Sequence, residues 1–296
     1  MTKTAYIFPG QGSQSVGMGR HHFETNSTFK ALMSRANDIL EYDLSAIMFN
    51  GPEETLRQTE HTQPAIFVHS VALFKAIDEY ADMVAGHSLG EFSALVACEA
   101  VAFEDALRIV RRRGQLMQEA GSHNPGTMAA VIGMDDAVVE DICVKASAQS
   151  GYIVVAANYN SPGQVVVSGH EVAIDAAIVM LKEAGCRIAK KLPVSGAFHS
   201  PLMKPAYDGL KDSLETLRID IPRCPIYSNF TAQATTDPET IRQNLLSQLM
   251  NPVRWTQTLH AMDADGATSF VEVGPGNVLQ GLVKRTLPEA AASGFA

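Results

Sequence analysis

Apolar and polar positions along the chain follow two periods in turn. Short runs of apolar, β-favouring residues lead into glycine-containing turns, and the turns into segments whose apolar residues recur at helical spacing, as in α/β proteins with a parallel sheet. Three junctions stand out. Residues 5–8 run into Pro9-Gly10-Gln11-Gly12, residues 83–85 into Gly86-His87-Ser88-Leu89-Gly90, and residues 270–273 into Gly274-Pro275-Gly276. Ligands of open parallel sheets bind beyond the carboxyl ends of the strands, so the three turns are expected on one rim.

Between Gly126 and Lys191 the texture changes. Residues 127–132 read as a strand, 135–150 as a helix, 153–156 as a strand, 158–163 as a turn, 164–168 as a strand, 172–184 as a helix and 186–192 as a strand. That is the βαββαβ order of a ferredoxin-like unit. A small subdomain of residues 126–195 is therefore expected to interrupt a large α/β domain, built jointly by residues 1–125 and 196–296 because neither piece alone carries enough strands. Residues from Pro288 onward, rich in Ala, Ser and Gly, are expected to fray.

Composition narrows the class. The chain has 296 residues, 46% hydrophobic and 19% charged, which is enough apolar material for one large core and a satellite. No apolar run approaches the ~18 residues of a membrane span, and the N-terminus opens on a strand-like segment instead of a signal peptide, so a cytoplasmic protein is expected. Cys98, Cys143, Cys186 and Cys224 are far apart, with no C-x-x-C and no histidine at ligand spacing; reduced thiols are expected, with neither disulfide nor metal site. Net charge is −9, from 32 acidic and 23 basic residues, which argues against nucleic-acid binding. An acidic partner would need a local basic patch.

Gly86-His87-Ser88-Leu89-Gly90 fits G-x-S-x-G in its required setting, between an apolar strand and a helix pattern. The glycines allow the sharp turn that lifts a serine hydroxyl off the sheet, and the helix behind it supplies free N–H groups; an N-capping serine is the plainer alternative. Ser88 is the candidate nucleophile and needs a base within hydrogen-bond reach. Of the nine histidines, most lie in polar or turn-like surroundings, His69 is in a helix pattern, and the His87 side chain should point away from Ser88. His199, in Ser195-Gly196-Ala197-Phe198-His199-Ser200-Pro201, lies where the chain re-enters the large domain and is the candidate base. No acid between the two sits in a convincing strand-end turn, so a backbone carbonyl or an amide side chain is left as the orienting group. At the first junction a dinucleotide fingerprint fails, because Ser15 replaces the third glycine and Pro9 ends the strand. Backbone N–H groups facing an oxyanion are the alternative there.

Six blocks, in this order across nearly the whole chain, resemble the malonyl-CoA:acyl-carrier-protein transacylases. They are Phe8-Pro9-Gly10-Gln11-Gly12-Ser13-Gln14, Gly86-His87-Ser88-Leu89-Gly90-Glu91, Arg113-Gly114, Ala157-Asn158-Tyr159-Asn160-Ser161-Pro162-Gly163-Gln164, Gly196-Ala197-Phe198-His199-Ser200 and Glu272-Val273-Gly274-Pro275-Gly276. The resemblance implies a large α/β-hydrolase-like domain with a ferredoxin-like insert, and transfer of a malonyl group from malonyl-CoA to acyl carrier protein in fatty acid biosynthesis. It implies Ser88 as the acylated nucleophile, His199 as its base, Gln248 as the residue whose carbonyl orients the histidine, and the Gln11 and Leu89 amides as the oxyanion hole. Arg113 would grip the substrate carboxylate, Asn160 would line the small-subdomain side of the cleft, and Phe198 would oppose an α-methyl branch. A planar guanidinium suits a carboxylate, although three consecutive arginines, Arg111 to Arg113, are otherwise an ordinary solvated run.

No cofactor is implied, since CoA and phosphopantetheine enter as parts of substrates, and a monomer is the expectation. Carrier proteins of this kind are acidic, so Arg187, Lys190, Lys191, Lys284 and Arg285 are candidate docking residues, with an ordinary strand edge and helix end as the alternative. Two other readings of the same serine and histidine remain: a free-standing acyltransferase serving a polyketide synthase, and an acyl-thioester hydrolase.

Overall fold

A computed structural model describes residues 3–296. Among the described residues ten strands form two sheets: β1 (Lys3–Phe8), β2 (Met83–Gly86), β3 (Thr127–Ile132), β4 (Val154–Ser161), β5 (Gln164–Gly169), β6 (Ile188–Lys191), β7 (Ile226–Tyr227), β8 (Ala234–Thr235), β9 (Ala267–Val273) and β10 (Ala291–Phe295). The larger sheet has the order β10-β9-β1-β2-β7-β8, parallel from β10 to β7, with β8 antiparallel at its edge. Its central strands read as unbroken apolar runs because both faces are covered. Ala5 and Ile7 point into a cluster with Trp255, Leu259 and Leu279, while Tyr6 and Phe8 point the other way, among Phe67, Phe92 and Val110. Each large apolar side chain so buried contributes about 1.5–3 kcal/mol relative to exposure.

The second sheet, order β4-β5-β3-β6, is antiparallel throughout. Helices Asp136–Ser150 and Glu171–Glu183 cover one face, where Val131 and Val167 meet Ile142, Ile174 and Leu181. The other face, with Met128 and Val166, packs toward the large sheet's helices. Strand and helix order is βαββαβ.

Two elements differ from their sequence-based expectation. Residues 158–161 continue β4 where a turn was expected, because pairing with β5 overrides the turn preference of Asn and Gly; only Pro162 and Gly163 turn. Two register shifts, at Ala156/Asn158 and Tyr159/Ser161, mark where the strand bends. The tail does not fray: residues 291–295 form β10, parallel to β9, with backbone pairing and not side-chain burial holding it. Gly294 permits the approach, since a Cβ there would lie 2.7 Å from the Glu272 carbonyl oxygen.

The strands end level, Phe8 beside Gly86 and Ile7 beside Glu272, so all three glycine turns share one rim. Glu272 is fully buried and its carboxylate accepts the N–H groups of Leu279 and Gln280 at 3.1 and 3.0 Å, capping the helix Val278–Thr286 that walls the cleft. Burial pushes its carboxyl up and the two N–H groups pull it down. Glu272→Gln should leave one N–H facing an NH2 and lower stability by about 1–3 kcal/mol, read as a shift of the urea midpoint with unchanged m.

Candidate active site

Backbone contact shapes the turn after β2. A Cβ on Gly90 would lie 2.1 Å from the Phe8 carbonyl oxygen, and one on Gly10 2.4 Å from that of His87. With side chains excluded there, the chain passes from β2 into helix Gly90–Ala97 within a few residues and takes Ser88 to φ 52°. That left-handed conformation costs about 1–3 kcal/mol and needs outside support. Asn229, fully buried, provides it: its Oδ1 accepts the Ser88 N–H at 2.6 Å and its Nδ2 donates to the Gly86 carbonyl at 2.7 Å.

Ser88 Oγ lies 2.8 Å from His199 Nε2. On the far side of the ring, Nδ1 is 2.9 Å from the Gln248 backbone carbonyl. A carbonyl can only accept, so Nδ1 carries the proton and Nε2 presents its lone pair to the serine hydroxyl. The orienting group left open by the sequence is thus a main-chain oxygen. Burial, and then the Arg113 charge, lower the His199 pKa to about 3, which keeps the ring neutral, its Nε2 lone pair unprotonated.

Arg113 is 1% exposed. Its Nη1 donates to Gln63 Oε1 at 2.8 Å, and its Nη2 to Gln248 Oε1 at 2.9 Å and to Ser88 Oγ at 3.1 Å. Burial pulls the guanidinium down to about 10, with Glu91 opposing, so the cation persists at neutral pH. Around it are neutral amides and no directly bonded carboxylate.

A cavity of about 240 Å³ opens from Ser88. Gln11 and Leu89 line it, and neither N–H has a hydrogen-bond partner among the described residues. Leu89 also caps helix Gly90–Ala97, whose positive end adds to the same spot, so a developing oxyanion has two free donors. Phe198, His199 and Asn160 face the cavity as well. Asn160 Oδ1 is 2.9 Å from Nε2 of His87, whose ring packs on Trp255 and which lines the cavity too. Beyond the polar end the walls are apolar, with Met128, Val166 and Leu192 on one side and Val278 and Leu282 on the other.

The candidate docking residues lie outside this cluster. Lys190 is exposed; its neighbour Ala189 points into the small core, so Lys190 shares the opposite, cleft-facing side of the sheet with Met128. Lys191 is held by Glu171 and Asp175, each at 2.8 Å. Arg187 and Lys284 are exposed, and Arg285 bridges the two lobes through Gln164 Oε1 at 2.5 Å. Three site residues escaped the sequence reading: Gln63, Asn229 and Glu91. Only Glu91 carried a signal, its place directly after the elbow glycine. No group of three or more His, Cys, Asp or Glu among the described residues is disposed to hold a metal ion.

A parallel α/β sheet, a serine on a strand-to-helix elbow, a neutral histidine at hydrogen-bond distance and two free amides define the class: a serine-based acyl-transfer enzyme. The acyl transferase domain model matches residues 5–294. The malonyl CoA-acyl carrier protein transacylase of Escherichia coli (strain K12) is 43% identical over 99% of this chain and 96% of its own. An acyl carrier protein S-malonyltransferase from Vibrio cholerae superposes with a TM-score of 0.95 at 42% identity, covering 99% of this chain and 97% of its own. A malonyl-transacylase solved in complex with a type II PKS acyl-carrier protein superposes with a TM-score of 0.96 at 39% identity, covering 99% and 96%. The chain belongs to the acyl transferase domain family and, within it, to the malonyl CoA-acyl carrier protein transacylases.

The depressed pKa of His199 has a measurable sign. A lowered pKa keeps the base form down to lower pH, so fluorophosphonate labelling of Ser88 should change less than about threefold between about pH 8 and about pH 5. An imidazole at its ordinary ~6.5 would retain only ~3% of its base form at the acid end. A loss of tenfold or more across that window would contradict the assignment.

Proposed function

We propose that this chain moves the malonyl group of malonyl-CoA to the phosphopantetheine thiol of acyl carrier protein through a malonyl-Ser88 ester, in fatty acid biosynthesis. The observation that carries the reading is the buried Arg113 guanidinium, 3.1 Å from Ser88 Oγ and bonded otherwise only to neutral amides. A cation so placed has no use for a plain acyl group, but it can take the free carboxylate that distinguishes malonyl from acetyl.

His199 Nε2 takes the Ser88 proton as Oγ attacks the thioester carbonyl. The oxyanion rests on the Gln11 and Leu89 amides, the carbon–sulfur bond breaks, and the imidazolium returns its proton to the departing CoA sulfur. The carrier's thiol then enters, loses its proton to His199, and reverses the sequence with the Ser88 ester as acyl donor. One thioester replaces another, so the protein has only to lower barriers and keep water from the ester. Phe198 crowds the carbon that would bear an α-methyl group, and Asn160 borders the path of the pantetheine arm. The steps call for no cofactor. A cytoplasmic site suits the four free cysteines, and no helix among the described residues is long and apolar enough to cross a membrane. A polyketide carrier as acceptor is the second reading, favoured by the likeness to the transacylase solved with a type II PKS acyl-carrier protein. Simple hydrolysis gives Arg113 no role.

Mass spectrometry after mixing with malonyl-CoA should show one malonyl adduct, absent from Ser88→Ala. Arg113→Ala should lose a charge-assisted contact of about 1.5–3 kcal/mol, a fall of roughly 10–150-fold in malonyl kcat/KM, with acetyl-CoA little affected. Equal falls for both substrates would overturn the clamp. For the carrier step, Lys190→Glu should lower the rate of malonyl transfer to acyl carrier protein several-fold at low salt and leave malonyl-enzyme formation unchanged. Lys191→Glu, whose ammonium is already matched by two carboxylates, should do less.

A further inference from the structure

Glu91 has no part in the reaction steps above, yet it is 2% exposed and sits at the centre of the site's hydrogen bonds. Its Oε1 accepts the Asn229 backbone N–H, and its Oε2 accepts Gln248 Nε2 at 2.5 Å. Both bonds come from donors, so both oxygens must serve as acceptors; a proton on either would have to find a partner of its own. Acceptance at both oxygens therefore fixes which end of the Gln248 amide faces Glu91. With Nε2 turned to Glu91 and to the Ser88 carbonyl, 3.0 Å away, Oε1 is left facing Arg113 Nη2 at 2.9 Å. The same residue's main-chain carbonyl holds His199.

We propose that Glu91 is a positioning residue that acts through the Gln248 side-chain amide to aim Arg113, and thereby sets the preference for a malonyl over an acetyl thioester. The proposal rests on the malonyl-transfer reading given above. The arrangement around the cation agrees with it. Arg113 has no carboxylate in contact, and Glu91 faces it at one remove through the polarisable Gln248 amide; burial pushes the Glu91 carboxyl up to about 8, while the Asn229 N–H, the Gln248 amide and the Arg113 charge pull it down. The guanidinium is thus held in place 3.1 Å from the Ser88 hydroxyl, with no carboxylate among the described residues paired to it. Direct pairing with Glu91 would have satisfied the cation and closed the clamp.

Glutamine at position 91 is nearly isosteric but cannot reproduce this pattern. With its oxygen toward the Asn229 N–H, its NH2 meets the NH2 of Gln248; turned over, its NH2 meets the Asn229 N–H. Relief would come from rotating the Gln248 amide, which points an NH2 at a guanidinium that only donates. The clamp loses its aim while the Ser88–His199 contact and the main-chain acceptor of His199 stay in place.

The experiment measures acyl-enzyme formation by mass spectrometry, with malonyl-CoA and acetyl-CoA, in four proteins: wild type, Glu91→Gln, Arg113→Ala and the double variant. Glu91→Gln should lower malonyl kcat/KM by roughly 10–100-fold, the scale of an ångström-sized misplacement, and the malonyl-to-acetyl ratio by about tenfold. In the Arg113→Ala background the same substitution should leave the ratio unchanged, because the residue it aims is gone. A wild-type ratio in Glu91→Gln overturns the proposal, as does an equal drop with and without Arg113. Should Glu91→Gln fail to fold, Gln248→Met carries the test, since it removes the amide and keeps the main-chain carbonyl; it should lower the ratio to the same extent, and a wild-type ratio there overturns the proposal. If the wild-type protein takes no malonyl group, the malonyl-transfer reading itself fails, which is a different result from a wild type that does and a Glu91→Gln variant that keeps its ratio.

Discussion

A guanidinium closed off from water, with no carboxylate touching it, constrains everything around Arg113. An uncompensated buried charge is costly, so each neighbour must supply a dipole in the right direction. Gln63 and Gln248 turn their oxygens inward for that reason, and Glu91 stands behind Gln248. The same charge acts on the histidine. Imidazolium beside a buried cation is unfavourable, which, after burial itself, helps hold His199 in its basic form. One buried cation thus bears both on the amides around it and on the protonation of the histidine beside Ser88.

That constraint explains how legible the site is. Strands β1 and β2 and the elbow stand out in the sequence because their grammar is local: an apolar run, a glycine at each close approach, then helical spacing. Arg113 does not stand out, as it is one of three consecutive arginines. In the folded chain Arg111 packs over the Tyr42 ring, Arg112 is exposed and Arg113 is buried, as a 3.6-residue period requires. The signal was present, since Ala106, Val110, Arg113, Met117 and Ala120 form one buried stripe of helix Phe103–His123, and counting along that stripe singles out Arg113 without any relative for comparison. Asn229 and Gln63 had no such marker. Their roles come from contacts between residues 141 and 50 positions apart in sequence, which no local pattern encodes.

The two departures in secondary structure have the same origin. Residues 158–161 carry turn-forming side chains, and β10 carries small ones, so local propensity speaks against a strand in both. Partners from elsewhere decide the matter. β9 offers β10 a free edge. For β4 the partners lie on both sides: β5 within its own sheet, and Val253 of the large lobe, which exchanges backbone hydrogen bonds with Ala157 and Tyr159 at 2.9 Å each. Thr256 adds a bond to the Tyr159 carbonyl at 3.1 Å.

This pairing bears on how one pocket serves two thiols. The small sheet contributes a wall of the cavity, so its freedom to move would decide whether the cavity is fixed or closes on each substrate. Main-chain bonds from β4 to Val253, the His87–Asn160 contact and the Arg285–Gln164 bridge fasten that wall to the large lobe at three separate places. A wall so fastened favours a cavity formed before substrate arrives, with little ordering cost for either half-reaction. On the proposed reaction CoA and the carrier would present the same pantetheine chemistry to that cavity, and an ester on Ser88 would stand among its apolar walls. Discrimination between donor and acceptor must then arise outside the cavity, on the surfaces that meet a nucleotide in one case and a folded protein in the other.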